Sequence, residues 1–137
     1  MAETKKTVKT KEESKKSKSK KNVQSGIASI QSTFNNTIIT LASEDGEVLG
    51  QGSPSRIGFK GAKRCTAYAA TKAAVDVAER VIKKYGLREV KVYVKGPGAG
   101  RNAAVKGLDS AGLKVTMLTD RTPIPHNGCR ARKMPRK

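Results

Sequence analysis

Three stretches of this chain combine residue types that can hold an anion. The first is Lys95-Gly96-Pro97-Gly98-Ala99-Gly100-Arg101-Asn102. Glycines leave backbone N–H groups free to approach an oxyanion, and a strand before and a helix after the loop would aim them at a phosphate. The run is not a Walker loop, because neither lysine nor a hydroxyl residue follows Gly100. It is not a dinucleotide fingerprint either, because Arg101 stands where a glycine is required. An arginine there suits a fixed phosphate or a base edge. A tight turn needs the same glycines and binds nothing; the basic flanks favour RNA phosphate.

The second stretch, Arg56-Ile57-Gly58-Phe59-Lys60-Gly61-Ala62-Lys63-Arg64, places four cations around an expected helix N-terminus. The helix dipole favours acids at that end, so a bound anion is a reason for the cations, against the plainer reading of a solvated charge run. Phe59 could stack on a base or serve in the core. The third stretch is Thr122-Pro123-Ile124-Pro125-His126-Asn127-Gly128-Cys129. Its prolines favour an extended chain. One histidine and two cysteines, Cys65 and Cys129, make at most three ligands, which disfavours zinc. His126 reads better as an RNA contact. Asn127 precedes Gly128, whose unhindered nitrogen can attack the side-chain amide, so deamidation or isoaspartate formation is expected there. Catalysis has little support. Glu44, Asp45 and Glu47 crowd one turn, Asp76 and Glu79 share a helix face, and no pair is placed on adjacent strand ends as a two-metal nuclease requires. No cofactor fingerprint is complete, and no small-molecule substrate is expected.

These stretches need elements to position them. Ile27 to Asn35, Thr37 to Ser43 and Glu47 to Gln51 are rich in strand formers. Phe34-Asn35-Asn36 and Asp45-Gly46 supply the turns between them. From Ala62 the pattern becomes helical, with Cys65, Ala69, Ala73, Val77 and Val81 recurring every four residues. Gly86 stands at the expected stop. Val90, Val92 and Val94 alternate with Lys91, Tyr93 and Lys95, a strand. A short helix from about Arg101 to Leu108, a break at Gly112 and a strand over Lys114 to Thr119 complete the order β-β-β-α-β-α-β. A meander followed by two crossovers predicts an α/β domain with a mixed five-stranded sheet and two packed helices.

Charge points the same way. The 137 residues carry 29 Lys and Arg against 11 acids, a net of +18. Residues 1–22 hold nine lysines and three glutamates, and residues 121–137 six cations and no acid, so each end carries +6. The middle, 23–120, holds fourteen cations and eight acids, the remaining +6. Such a chain seeks a polyanion. No apolar run nears the ~20 residues of a membrane span, and the ends lack the apolar face of an interfacial helix, so nucleic acid leads and no membrane partner is expected. Residues 1–22 are low-complexity Lys, Ser, Thr and Glu, expected to be disordered alone. Residues 23–120 form the expected domain, and 121–137 an extended basic tail. The opening residues contain no apolar signal core, and two cysteines make no disulfide framework. A cytoplasmic setting is expected ahead of an organelle, whose transit peptides are rich in arginine and poor in acids.

Gly58-Phe59-Lys60-Gly61, Lys95 through Arg101, Thr122 through Cys129 and Ser32-Thr33-Phe34-Asn35-Asn36-Thr37 together closely resemble the universal small-subunit ribosomal protein S-eleven family in its bacterial form. The resemblance covers about Ala28 to Arg130. It departs at Ala67, where the family has proline, and in the broken basic run Arg130 to Lys137. It implies a ribonuclease-H-like, three-layer fold without the nuclease carboxylates. It also implies a structural role on small-subunit rRNA of the central domain, in the platform, beside other platform proteins and near the rRNA 3′ end and the messenger exit path. The expected rRNA contacts are Asn35, Asn36, Arg56, Lys60, Lys63, Arg64, Lys95, Gly96, Gly98, Gly100, Arg101, Asn102, His126, Asn127, Arg130, Arg132 and Lys133. Two other readings compete: a ribonuclease-H-type enzyme, and a general cationic chaperone that binds any nucleic acid.

Overall fold

The valine, isoleucine and threonine runs form strands wherever one residue in two can be buried. A computed structural model describes residues 22–135, so the expected arm over 1–22 lies outside the described residues apart from Asn22. The strands are β1 (Ser25–Ser32), β2 (Thr37–Ser43), β3 (Val48–Gly52), β4 (Glu89–Lys95) and β5 (Lys114–Asp120). The α-helices are α1 (Ala67–Tyr85) and α2 (Gly100–Ser110). One sheet runs in the order β3-β2-β1-β4-β5. β1–β2 and β2–β3 pair antiparallel, while β1–β4 and β4–β5 pair parallel. The mixed five-stranded sheet with two helices is as expected.

Alternation decides which face is covered. Ala28, Ile30, Ile39, Leu41, Val90, Val92 and Val94 are buried on one face, and their neighbours Ser29, Gln31, Ile38, Lys91 and Lys95 are exposed. Both helices lie on the buried face: α1 covers β2 and β3, α2 touches β1, β2, β4 and β5, and the helices pack on each other. Among the described residues the second face of the sheet carries no helix, so they form two layers where the resemblance implies three. Half-polar strands such as SGIASIQS have only one face to bury, as antiparallel and mixed sheets allow.

The helices approach each other through small residues. Ala69, Ala70, Ala73, Ala74 and Ala78 are buried on α1, and Gly100, Ala104 and Gly107 on α2. A Cβ on Gly107 would stand 2.8 Å from the Ala74 Cβ and 2.9 Å from the Thr71 carbonyl oxygen. The Thr71 hydroxyl also donates to the Ala103 carbonyl at 3.2 Å.

The start of α1 differs from the expected helix over Ala62 onward. Gly61–Cys65 is a 3₁₀ turn entered through Gly61 at φ 57°. Thr66 is extended, and its hydroxyl caps α1 by accepting from the Ala69 N–H at 3.3 Å. A Thr cap is worth about 1 kcal/mol, and α1 begins after it. The chain from Arg121 to Pro135 holds neither helix nor strand.

Candidate nucleic-acid interface

Strand direction gathers the predicted site. β1, β3, β4 and β5 run the same way, so their carboxyl ends lie at one edge of the sheet. That edge receives the β1–β2 turn, the 53–66 loop with the start of α1, the glycine loop with the start of α2, and the exit of the tail. Ligands of open α/β sheets bind outside the carboxyl ends of strands. Asn35, Asn36, Arg56, Lys60, Lys63, Arg64, Lys95, Gly96, Gly98, Gly100, Arg101 and Asn102 are all brought to this end.

The β1–β2 turn is organised by Thr33. Its hydroxyl donates to the Asn36 carbonyl at 3.0 Å and accepts from the Asn36 N–H at 3.1 Å. Asn35 is left exposed, and the Asn36 amide oxygen is buried without a hydrogen-bond partner. Across β2, Asn36, Ile38, Gln51, Gly52, Ser53 and Arg56 line a pocket of about 200 Å³.

In the second loop, Arg56, Lys60 and Lys63 are exposed and Arg64 half-buried. Gly58, at φ 101°, turns the chain where a side chain would be strained. Phe59 is half-buried, edge-on to Tyr68 at 6.1 Å. Tyr68 itself is 64% exposed in the first turn of α1, with the Lys72 ammonium 5.6 Å from its ring centre. The first turn of α1 carries no acid. This end therefore presents cations, a helix N-terminus and two exposed rings, Tyr68 and, in the β1–β2 turn, Phe34 at 74% exposure, the components that phosphates and bases meet. Tyr68 was not among the expected contacts; its place in an alanine-rich run hides its exposure.

The glycine loop serves packing first. A Cβ on Gly96 would collide with the Ser32 carbonyl, one on Gly98 with the Ser32 hydroxyl and the Thr33 carbonyl, and one on Gly100 with the Thr37 hydroxyl. The Gly98 N–H donates to the Ser32 carbonyl at 3.1 Å, and the Gly96 N–H to the Thr122 hydroxyl at 3.2 Å. Two of the N–H groups read as phosphate donors are thus already occupied. Arg101 is likewise engaged inside the chain. Its guanidinium donates to the Gly96 carbonyl at 2.7 Å, to the Thr122 hydroxyl at 3.3 Å and to Asp120 Oδ2 at 2.6 Å. Lys95 and Asn102 remain exposed beside it.

Asp120 and Thr122 complete this clasp. The Thr122 hydroxyl and N–H donate to Asp120 Oδ1 at 2.6 and 2.9 Å. Those bonds, with the Arg101 guanidinium, hold the Asp120 carboxyl well below the usual carboxylate range. Arg121 adds a further hold: its N–H donates to the Val94 carbonyl at 2.8 Å and its guanidinium lies 3.8 Å from the Tyr93 ring centre. The tail thus leaves the domain from a fixed point. Sequence reasoning missed Asp120 and Arg121, and placed Thr122 in a candidate stretch without its role in this clasp; the Asp-x-Thr spacing, which favours local side-chain-to-backbone bonds, was the available signal.

His126, Asn127, Arg130, Arg132 and Lys133 are exposed. Among the described residues, no hydrogen bond ties Pro123–Pro135 to the domain. Asn127 is the sole non-glycine residue with positive φ among them, at 56°. Cys65 and Cys129 are free, and no group of three His, Cys, Asp or Glu among the described residues could hold a metal ion. No helix of the described chain is long and apolar enough to cross a membrane.

A two-layer α/β domain with its turns, helix starts and cations at one end has the layout of a polyanion-binding protein. Comparison with known proteins narrows that class. The family model described as ribosomal protein S11 matches residues 26–136. The small ribosomal subunit protein uS11 of Rippkaea orientalis is 55% identical over 113 residues, covering 82% of this chain and 86% of the relative. The chain belongs to the ribosomal protein S11 family.

Proposed function

We propose that this protein is a structural constituent of the small ribosomal subunit that binds rRNA of the central domain in the platform. The observation that carries the reading is the gathering of Arg56, Lys60, Lys63, Arg64, Lys95 and the tail exit at the carboxyl ends of the strands. Family membership and the relative's name support the ribosomal setting. The domain is a rigid block that fixes register on the RNA, since phosphate contacts position and do not read sequence. The RNA is selected by its tertiary shape. The tail, with His126, Asn127, Arg130, Arg132 and Lys133, neutralises phosphates between rRNA helices, as does the lysine-rich arm of residues 1–22. Neighbouring platform proteins, the rRNA 3′ end and the messenger exit path are its surroundings, in a cytoplasmic ribosome. The role is structural and not catalytic.

The test is competition. The chain is bound to partly assembled central-domain rRNA at ~150 mM salt with excess unrelated RNA, where bulk electrostatics fades. Saturable binding that survives the competitor, and weakens for Lys60→Ala with Arg64→Ala, supports the reading. Equal loss to any RNA or DNA makes the protein a general cationic chaperone. Metal-dependent cleavage of the RNA would favour the enzyme.

A further inference from the structure

The pocket between β2 and the loop after β3 has features that phosphate neutralisation does not use. It is lined by four residues with polar side chains, Asn36, Gln51, Ser53 and Arg56, together with Gly52 and one apolar residue, Ile38. Ile38 is 36% exposed, on the sheet face that carries no helix among the described residues. Arg56 is only loosely tied, by a 3.5 Å bond to the Gln51 carbonyl, and is free to follow a ligand. The Asn36 amide oxygen has no partner although it is buried. Leaving a buried acceptor unpaired is costly, which is why such groups are rare in folded chains. The terminal torsion of an asparagine side chain is soft, so the amide can turn and offer that oxygen to a donor in the pocket.

Size narrows the ligand. About 200 Å³ is several times the ~30 Å³ share of a water molecule and less than the ~300–1,000 Å³ of a drug or cofactor site. A single planar ring system with polar edges fits. A lone phosphate would use Arg56 and Ser53 but would leave the amides and Ile38 unemployed.

We propose that the Asn36–Arg56 pocket takes one unstacked base of the bound RNA. One face of the base lies on Ile38, and an amino or imino group on its edge donates to the Asn36 amide oxygen. Gln51 and Ser53 meet its remaining polar atoms, and Arg56 holds the adjoining phosphate. The proposal rests on the RNA-binding reading and adds a specific contact that general phosphate binding lacks. Single-stranded and splayed-out bases are what proteins read in RNA.

The experiment is chemical probing of base edges in central-domain rRNA, with the full chain, Asn36→Ala and Ile38→Ser, alongside affinity measurements. Thermal melting of each variant establishes that it is folded. The wild-type chain is expected to shield the edge of one unpaired base. Both variants should expose that base again and lose about ten-fold in affinity, the scale of one stacked, hydrogen-bonded base. The phosphate footprint elsewhere should stay unchanged. Saturable, specific binding with no base shielded, or with the same base shielded by both variants, overturns the pocket assignment and leaves the RNA-binding reading standing. Failure of the wild-type chain to bind this RNA specifically overturns both.

Discussion

Gly107 offers the sharpest test of the helix crossing that brings the two helix starts to the same end of the sheet. In a helix interior, glycine-to-alanine replacement ordinarily stabilises by about 0.8–1.0 kcal/mol. Here the new Cβ would lie 2.8 Å from the Ala74 Cβ and 2.9 Å from the Thr71 carbonyl oxygen, on the facing helix. Neither atom is the loose end of a flexible side chain, so α1 and α2 must separate. Forced overpacking of this kind costs about 1–3 kcal/mol. The second effect exceeds the first, and Gly107→Ala should destabilise by about 1 kcal/mol net. For a domain of about 100 residues that lowers Tm by roughly 4–8 °C, read by calorimetry or circular dichroism at fixed protein concentration. Repeating the change in an Ala74→Gly background removes one of the two close contacts. Part of the cost should then disappear as a coupling between the sites. A rise in Tm for Gly107→Ala would refute the reasoning, because it would mean that helix propensity alone governs the position.

Four further outcomes are expected. Arg101→Ala removes the bonds to Gly96, Thr122 and Asp120 and should speed proteolysis of the tail just after Arg121. Arg101→Lys should not restore protection, because an ammonium lacks the planar fork; equal protection in all three proteins would show that the clasp does not hold the tail. The lowered Asp120 pKa means that its stabilising contribution is present at and above the ordinary carboxylate range and is lost as pH falls through the lower folded value. Amide shifts of Gly96 and Thr122 should therefore hold steady from neutral pH to about pH 4, and a titration of these amides near neutral pH would contradict the bonding described. Replacing Lys60, Lys63 and Arg64 together by alanine should flatten the salt slope of RNA binding by roughly 0.7 per cation, and an unchanged slope would remove them from the phosphate interface. On ageing, the peptide containing Asn127 should accumulate isoaspartate, measured by isoaspartyl-specific labelling and peptide mass, and Gly128→Val should slow it; equal rates would count against succinimide formation there.

Much of the fold was legible because strand signals here are short-range. Thr37–Ser43 falls where its β-branched run puts it and Glu89–Lys95 where its alternation does, and α1 is stopped by Gly86, which has φ 73°. The helix start was misplaced because Ala62 and Cys65 fit the apolar period, while the decisive residue was Thr66, a hydroxyl cap in extended conformation. The third layer came from resemblance alone. Ser29, Gln31, Lys91 and Lys95 already marked one face of the sheet as polar. At the site, the cations were visible as a list, and their convergence on one end followed once strand order was known. For the glycine loop a tight turn was one of two readings, but the partners that require its glycines were not visible. Gly96, Gly98 and Gly100 answer to Ser32, Thr33 and Thr37, more than 60 residues earlier in the chain, and no local pattern encodes such contact. Arg101 looked like a free cation for the same reason, since Asp120 reaches it only through the β4–β5 pairing.

The alanine seam between the helices has a consequence for the life of the protein before assembly. Seven of the fully buried core residues are Ala28, Ala69, Ala70, Ala73, Ala74, Ala78 and Ala104, and among the described residues no aromatic ring is fully buried with them, Tyr85 packing on the cluster only half-buried. Small side chains remove little apolar area from water, so each ordered residue returns little of its lost entropy. A core built this way predicts a narrow margin for the free chain, widened in proportion to the logarithm of available RNA sites. Copies made in excess of those sites would open more often and fall to proteases. The amount of this protein in a cell would then follow the supply of its RNA without a dedicated regulator, a form of stoichiometric control set by methyl groups.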